Sequence, residues 1–130
     1  MNDRLILLAM LFCHLIDDYY LQGILATLKQ KSWWQINAKD ELYRYDYIIA
    51  LIEHAFSWSF SIHIPVFWYY LSSGQFMNMQ AIVCIIFINT VIHAIIDDQK
   101  ANRHTINLIM DQTFHFLQII LTWFLYFYII

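Results

Sequence analysis

The chain has 130 residues, room for a single domain over residues 1–130. Its apolar fraction of 61%, charged fraction of 13% and mean hydropathy of +0.51 differ from a soluble domain, which is about 45 to 50% apolar and about 25% charged. A small domain cannot bury that much apolar surface, so we expect an integral membrane protein; a soluble helical subunit of an obligate assembly is the alternative. The net charge of -3, with scattered acids and bases, excludes nucleic acid as a partner.

Four apolar segments are each long enough to cross a hydrocarbon core of about 30 Å, which takes about 20 helical residues. They are Leu5–Leu28, Tyr47–Leu71, Phe76–Ile96 and Ile106–Ile130. They predict an all-α fold, namely a four-helix transmembrane bundle. The first segment carries His14, Asp17 and Asp18 and has no small-residue cleavage site, so we expect it to stay in the mature protein. Pro65 is expected to kink the second helix or end it early.

The connections between these segments are short, apart from the first. Residues 29–46 are polar and include Trp33 and Trp34, which is typical of a segment at headgroup depth or of a short amphipathic helix. Ser72-Ser73-Gly74 predicts a tight turn, and residues 98–105 link the last two helices. The first and third connections hold six Lys and Arg residues, whereas the opposite side has only Arg4. The positive-inside rule therefore predicts cytoplasmic basic loops and both termini outside.

Histidine and aspartate recur four residues apart in three of the segments. The pairs are His14 with Asp18, His93 with Asp97 and, in reverse order, Asp111 with His115. Four residues are a little over one helical turn, so the two side chains of a pair share a face, with Cβ atoms about 5 to 6 Å apart. This spacing suits two ligands of one metal ion.

Helix geometry predicts that the pairs meet. With a rise of about 1.5 Å per residue, all of them and His54 lie in the half of the bundle that borders the basic loops. The nitrogen and oxygen ligand set suits zinc first, with manganese or iron as alternatives. It exceeds the four ligands of a closed zinc site, so one or two divalent ions are predicted. The candidate metal ligands are His14, Asp18, His54, His93, Asp97, Asp111 and His115.

Neighbouring polar residues complete a candidate active site. Those that can position a water or move a proton are Asp17, Gln22, Asp98 and Gln112. Those that can receive a phosphate headgroup are Lys100 and Arg103. His63, at the opposite depth, and His104, in a loop, are left out of the site.

These residues resemble the motifs of a family of small bacterial and phage membrane proteins, the domain of unknown function 3307 family. His14-Leu-Ile-Asp-Asp18-Tyr-Tyr-Leu-Gln22 resembles its H-L-x-x-D-F-x-x-Q signature. Further matches follow in the family's order: His54, H-x-x-x-D at His93 to Asp97 with Lys100 after it, and D-Q-x-x-H at Asp111 to His115. The resemblance covers nearly the whole chain and departs at Asp17, Tyr19 and Asp98.

The resemblance implies a multi-pass protein of the bacterial cytoplasmic (inner) membrane. The family has no settled activity, but its pattern is similar to that of bacterial membrane proteins labelled metal-dependent hydrolases, an analogy of site chemistry. Our leading prediction is therefore a metal-dependent hydrolase acting on an ester or phosphoester at the cytoplasmic leaflet. The alternatives are a divalent-cation or proton transporter or channel, and a non-catalytic membrane subunit with a structural metal site. His/Asp pairs also serve as hydrogen-bonded links between helices. The lipid bilayer is the expected partner, with a homo-oligomer or a membrane partner left open.

Overall fold

A computed structural model describes residues 3–76 and 78–130, and in these residues the chain is helical with no strand. The α-helices are α1 (Asp3–Ile16), α2 (Leu25–Leu28), α3 (Lys31–Asn37), α4 (Asp46–Ser73), α5 (Met79–Ala101) and α6 (Leu108–Phe124). Two π-helical turns, Asp17–Leu21 and Leu125–Ile129, continue α1 and α6, and a 3-10 turn, Glu41–Tyr43, precedes α4. The predicted all-α class is confirmed.

The four long helices form a bundle in which each packs against two neighbours. Helix α4 contacts α1 and α5, and α6 contacts the same two helices from the other side. An apolar core fills one half of the bundle and consists of Ile6, Met10, Trp58, Ile62, Val66, Ile82, Ile85, Ile119 and Tyr126. The ends of α1 and α5 and the beginnings of α4 and α6 make up the other half, which carries the His/Asp residues.

The surface of this bundle is apolar and much of its interior is polar. Among the described residues, the buried polar side chains outnumber the buried apolar ones. Large apolar side chains point outward instead, including Leu8 at 63%, Phe12 at 62%, Phe87 at 69% and Leu121 at 63% exposure. This distribution is the reverse of that in a water-soluble domain, where large exposed apolar patches are uncommon.

Two of the described helices are long and apolar enough to cross a membrane. They are Met79–Ala101, with a mean hydropathy of 2.2, and Leu108–Ile129, with 1.3. The predicted span Leu5–Leu28 is not one helix, because the backbone changes to a π-helical turn at Asp17 and then breaks at Gly23, whose φ is +47°. The four-span arrangement and its orientation therefore stay predictions.

Helix α4 is longer than predicted. It continues eight residues beyond Pro65 and ends at Gly74, whose φ of +65° is left-handed, so the expectation that Pro65 ends it early is wrong. Proline costs a helix interior about 3 kcal/mol. Ile62 and Val66, on either side of the proline, are fully buried in the core, and their packing holds the helix together across it. The turn predicted at Ser72-Ser73-Gly74 begins later than predicted, because Ser72 and Ser73 still belong to α4 and only Gly74 leaves the helix.

Helix α5 starts later and ends later than the predicted Phe76–Ile96, and residue 77 of that segment lies outside the described residues. Asn78 fixes its start, because its side-chain oxygen accepts from the backbone N–H of Ala81. At the other end the helix runs to Ala101, so the link to α6 is shorter than predicted. His93, Asp97 and Lys100 therefore lie on one continuous helix.

Candidate metal centre

The residues predicted as metal ligands meet at one end of the bundle, and each is buried. They are His14, Asp18, His54, His93, Asp97, Asp111 and His115. The three pairs are in near contact, with nitrogen-to-oxygen distances of 3.7 Å in the first, 3.8 Å in the second and 3.3 Å in the third. The helical spacing read from the sequence thus produces the predicted cluster of imidazoles and carboxylates.

The Nε2 atoms of His54 and His93 lie at the centre of this cluster. His54 Nε2 is 3.3 Å from His93 Nε2, 3.3 Å from Asp97 Oδ2 and 3.5 Å from Asp18 Oδ1. Two groups of three residues have ligand atoms within 4.8 Å of one another: Asp18, His54 and His93, and then His93, Asp97 and His115. Because both groups contain His93, they are overlapping parts of one site.

The spacing of these atoms fits the ligands of one ion. Zinc bonds of about 2.0 to 2.1 Å at tetrahedral angles place two ligand atoms about 3.3 Å apart. His115 Nε2 is also 3.3 Å from Asp97 Oδ1. Neither His115 Nε2 nor Asp111 Oδ1 has a hydrogen-bond partner in the described part of the chain, although both are buried. Buried polar atoms without a partner are uncommon in folded proteins, and the lone pairs of these two atoms are free to bind a cation. The buried His/Asp groups can therefore hold a metal ion.

Asp17 lies behind His54 and is itself fully buried. Its Oδ1 atom accepts hydrogen bonds from the hydroxyls of Ser57 at 2.8 Å and Ser61 at 2.9 Å, both on α4. Its Oδ2 atom lies 3.9 Å from His54 Nδ1, and neither atom has a hydrogen-bond partner among the described residues. A carboxylate that accepts the second ring N–H fixes the orientation of a metal-ligating imidazole, and Asp17 faces that nitrogen of His54 slightly beyond hydrogen-bond distance. Asp17 is thus placed to orient His54.

His14 differs from the other histidines of the cluster, because both of its ring nitrogens are engaged. The indole N–H of Trp58 donates to His14 Nδ1 at 2.7 Å, so the ring proton is on Nε2, which donates to Gln112 Oε1 at 3.1 Å. The amide nitrogen of Gln112 donates to Asp18 Oδ2 and Asp111 Oδ2, each at 3.2 Å. In this arrangement His14 offers no free nitrogen to a metal and positions the two carboxylates through Gln112.

Two lysines close the cluster on the loop side. Lys29 Nζ donates to Asp97 Oδ2 at 2.6 Å, and Lys100 Nζ donates to Asp111 Oδ2 at 2.6 Å. A cavity of about 140 Å³ leads to the cluster at this point. We call it the entrance cavity; its lining residues are Asp18, Tyr19, Gln22, Lys29, Asp97, Lys100, Leu108 and Gln112.

Two other predicted residues, Asp98 and Arg103, lie away from the cluster. The carboxylate of Asp98 accepts from Arg103 Nε at 2.8 Å, and the side chain of Arg103 is 64% exposed. Both residues line a different groove, between α4 and α5. Gln22 lines the entrance cavity, but its amide nitrogen donates to the backbone oxygen of Asp18. Among the catalytic and substrate-binding candidates, the structure therefore brings Asp17, Gln22, Gln112 and Lys100 to the cluster and leaves Asp98 and Arg103 outside it.

Sequence reasoning missed Lys29 and Trp58. The Trp58 ring stacks on the His93 ring, with centroids 4.2 Å apart, and it follows His54 by four residues. That helical spacing was a signal that Trp58 shares the face of His54. Lys29 meets a carboxylate 68 residues away, and no local pattern indicates that contact.

Comparisons with protein-family models, with curated proteins and with solved structures find no match for this chain. The resemblance to the domain of unknown function 3307 family therefore stays a prediction. Function has to be argued from the geometry of the site.

Proposed function

We propose that this chain is an integral membrane metalloprotein and a metal-dependent hydrolase of an ester or phosphoester at the cytoplasmic leaflet of the bacterial inner membrane. The observation that carries the proposal is the 3.3 Å separation of His54 Nε2 from both His93 Nε2 and Asp97 Oδ2, which is about the distance between two ligands of one zinc ion. Zinc is the first choice of metal, with manganese or iron as alternatives.

The residues of the cluster divide into ligands and groups that hold the ligands in place. His54, His93 and His115 with Asp18 and Asp97 are the candidates for binding the ion, since their donor atoms lie together. When bound, a divalent ion supplies Lewis-acid chemistry, which polarises a substrate oxygen and favours loss of a proton from water. The protein keeps this chemistry in a buried place, and the entrance cavity gives a substrate group access from the loop side.

The apolar exterior supports the membrane location. Leu8, Phe12, Phe87 and Leu121 all expose most of their side chains, although the buried residues around the cluster are polar. A bilayer would cover such a surface and leave the polar groups inside the bundle. The basic loops lie at the His/Asp end, so the positive-inside rule puts the entrance cavity on the cytoplasmic side.

Elemental analysis of the detergent-purified protein tests the metal site. We expect about one zinc, manganese or iron ion per chain in the wild type and none in His93→Gln. His63→Gln is the matched control, because His63 is an equally buried histidine whose Nδ1–H donates to the backbone oxygen of Ser59 at 2.6 Å, outside the cluster. A wild type without metal would contradict the proposal.

A panel of lipid, nucleotide and phosphoester substrates tests the hydrolase. The metal-loaded wild type and His63→Gln should cleave a member of the panel, and His93→Gln should not. If metal-loaded protein cleaves nothing and His93→Gln behaves as the wild type in cells, the site is not catalytic.

The lysine contacts favour a second candidate function, a non-catalytic subunit whose cluster holds the helices together. Lys29 and Lys100 pair with Asp97 and Asp111 at 2.6 Å, and they neutralise these carboxylates without an ion. A network of this kind links helices directly. In that case His93→Gln would lower the thermal stability while metal content and activity showed no difference from the wild type.

A further inference from the structure

The ammonium groups of Lys29 and Lys100 each pair with a carboxylate of the cluster, and the one that Lys29 holds, Asp97, is also a candidate ligand of the ion. Asp97 Oδ2 accepts from Lys29 at 2.6 Å, and the same atom lies 3.3 Å from His54 Nε2. Asp111 Oδ2 accepts from Lys100 at 2.6 Å. The two lysine side chains are only 14% and 38% exposed. Lysine and a divalent ion therefore compete for the same part of the cluster.

Binding of an ion would release the lysines toward the entrance cavity. A divalent cation beside Asp97 repels the ammonium of Lys29. It also binds the lone pair of Asp97 Oδ2 that accepted the hydrogen bond from Lys29. The lysine stem is flexible, so the ammonium can move by rotation of its side chain. Both lysines line the entrance cavity, which is where the movement would bring them. A partly buried ammonium without a partner is unfavourable, so the two released lysines favour the binding of an anion.

We infer that Lys29 and Lys100 bind the phosphate group of a phosphate monoester in the metal-loaded protein. The inference rests on the proposed function and names its substrate class. A phosphate oxyanion can accept hydrogen bonds from two ammonium groups at once. The entrance cavity of about 140 Å³ is small, so it admits the phosphate group and leaves the rest of the substrate outside. Lys29 takes the phosphate-binding role that was predicted for Arg103, which pairs with Asp98 and lines another groove.

Replacement of either lysine should raise the affinity for the metal ion and lower the affinity for phosphate. The probes are Co²⁺, whose binding is followed by its visible absorption, and inorganic phosphate, whose binding to the Co²⁺-loaded protein is followed by calorimetry. In Lys29→Met and in Lys100→Met we expect Co²⁺ to bind about 10-fold more tightly, because a competing positive charge is gone. Phosphate should bind about 10-fold more weakly, because one of its two cationic partners is gone.

Two further variants separate this effect from a loss of folding. Lys31→Met removes a charge two residues further on, at the start of α3, where Lys31 lies over the ring of Tyr47 at 5.9 Å, and it should leave both affinities unchanged. Lys29→Arg keeps the positive charge and should restore phosphate binding. Short-chain phosphatidic acid in micelles, offered beside inorganic phosphate, distinguishes a lipid headgroup from a free phosphate: the source that the lysine variants bind more weakly is the ligand.

Several results would overturn the inference. Phosphate binding that is equal in the wild type and both methionine variants would show that the lysines do not contact it. Weaker Co²⁺ binding in these variants would show that the lysines support the ligands rather than compete with the ion. If the wild type binds Co²⁺ but neither phosphate source, the substrate class is wrong and the metal site stands. If it binds no Co²⁺, the proposed function fails as well.

Discussion

Two buried polar regions in the described part of the bundle differ in how their hydrogen bonds are satisfied. The first is a neutral network formed by Asn89, Gln118 and Thr122. There the Asn89 amide donates to the Thr122 hydroxyl at 2.9 Å, and Gln118 donates to the Asn89 side chain at 2.8 Å. The second is the His/Asp cluster, where two imidazole Nε2 atoms face each other at 3.3 Å and His115 Nε2 has no hydrogen-bond partner among the described residues.

The difference shows what carboxylates require that amides do not. An amide or a hydroxyl offers both a donor and an acceptor, so a few of them can satisfy most of one another's hydrogen bonds, and Gln118 Oε1 is the atom of this network that has no partner among the described residues. Four carboxylates lie in the cluster, namely Asp17, Asp18, Asp97 and Asp111, and two lysines pair with them. With neutral imidazoles this would leave two negative charges, which one divalent cation or two protonated imidazoles could balance. Buried charge needs a partner, so the cluster favours added positive charge in a way that the neutral network does not.

The largest expected effect comes from removing one charge of the cluster. Asp97→Asn leaves the ammonium of Lys29 without its carboxylate, in a place where only 14% of the lysine side chain is exposed. Breaking a buried ion pair in this way lowers the free energy of unfolding by about 3 to 5 kcal/mol, and we expect metal to be lost as well. Thermal denaturation in detergent and elemental analysis measure the two effects.

Asp98→Asn is the control for this prediction, because Asp98 is the next residue on the same helix. It pairs with Arg103, whose side chain is 64% exposed, so its removal should change the stability by less than about 1 kcal/mol and leave the metal in place. If the two variants lose equal stability and both retain metal, the cluster has no special need for a cation.

The elements that local periodicity controls could be predicted from the sequence. The i,i+4 pairs placed His93 beside Asp97 and Asp111 beside His115, because both members of a pair sit on one helix face whatever the rest of the fold does. The helical segments that carry α4, α5 and α6 followed from their apolar runs, with bounds off by as much as six residues.

What could not be predicted depends on contacts between distant residues. The pairing of Lys29 with Asp97 joins a loop to a helix 68 residues further on. Hydrogen bonds with Trp58 and Gln112 leave neither nitrogen of the His14 imidazole free, and spacing within α1 says nothing about that. Helix α4 continues through Pro65 because the residues on both sides of the proline pack in the core. This packing outweighs the tendency of proline to end a helix.

A substitution in the neutral network should reduce stability without affecting metal. Asn89→Leu removes the donor to Thr122 and one acceptor of Gln118, and it leaves these buried groups with fewer partners. We expect a loss of about 1 to 3 kcal/mol in the free energy of unfolding and an unchanged metal content.

Thr90→Val provides the comparison within the same helix. The Thr90 hydroxyl donates only to the backbone oxygen of Ile86, one turn earlier, so its removal should cost less than about 1 kcal/mol. If Asn89→Leu removes the metal, then the two polar regions act as one unit and the comparison between them does not hold.

The removal of a single hydrogen bond to His14 tests whether this residue is a ligand or a positioning residue. Trp58→Phe keeps an aromatic ring against His93 but removes the indole N–H that donates to His14 Nδ1 at 2.7 Å. If His14 positions Asp18 and Asp111 through Gln112, the loss of this hydrogen bond loosens the carboxylates. Metal affinity should then fall by a factor of about 10, as expected for a group outside the ligand set. The lost hydrogen bond lowers the stability by about 1 kcal/mol, and the cavity that the smaller ring leaves in the core adds to that loss.

A direct role for His14 predicts the opposite sign. The substitution would free Nδ1 to bind the ion, and the affinity would rise instead of falling. Titration of the metal-free wild type and Trp58→Phe with Co²⁺ therefore distinguishes the two roles, since a change in coordination also alters the visible spectrum. Tighter binding with a changed spectrum would restore the role that the i,i+4 spacing of His14 and Asp18 predicts, whereas weaker binding with the same spectrum would confine the ligand set to His54, His93 and His115 with their carboxylates.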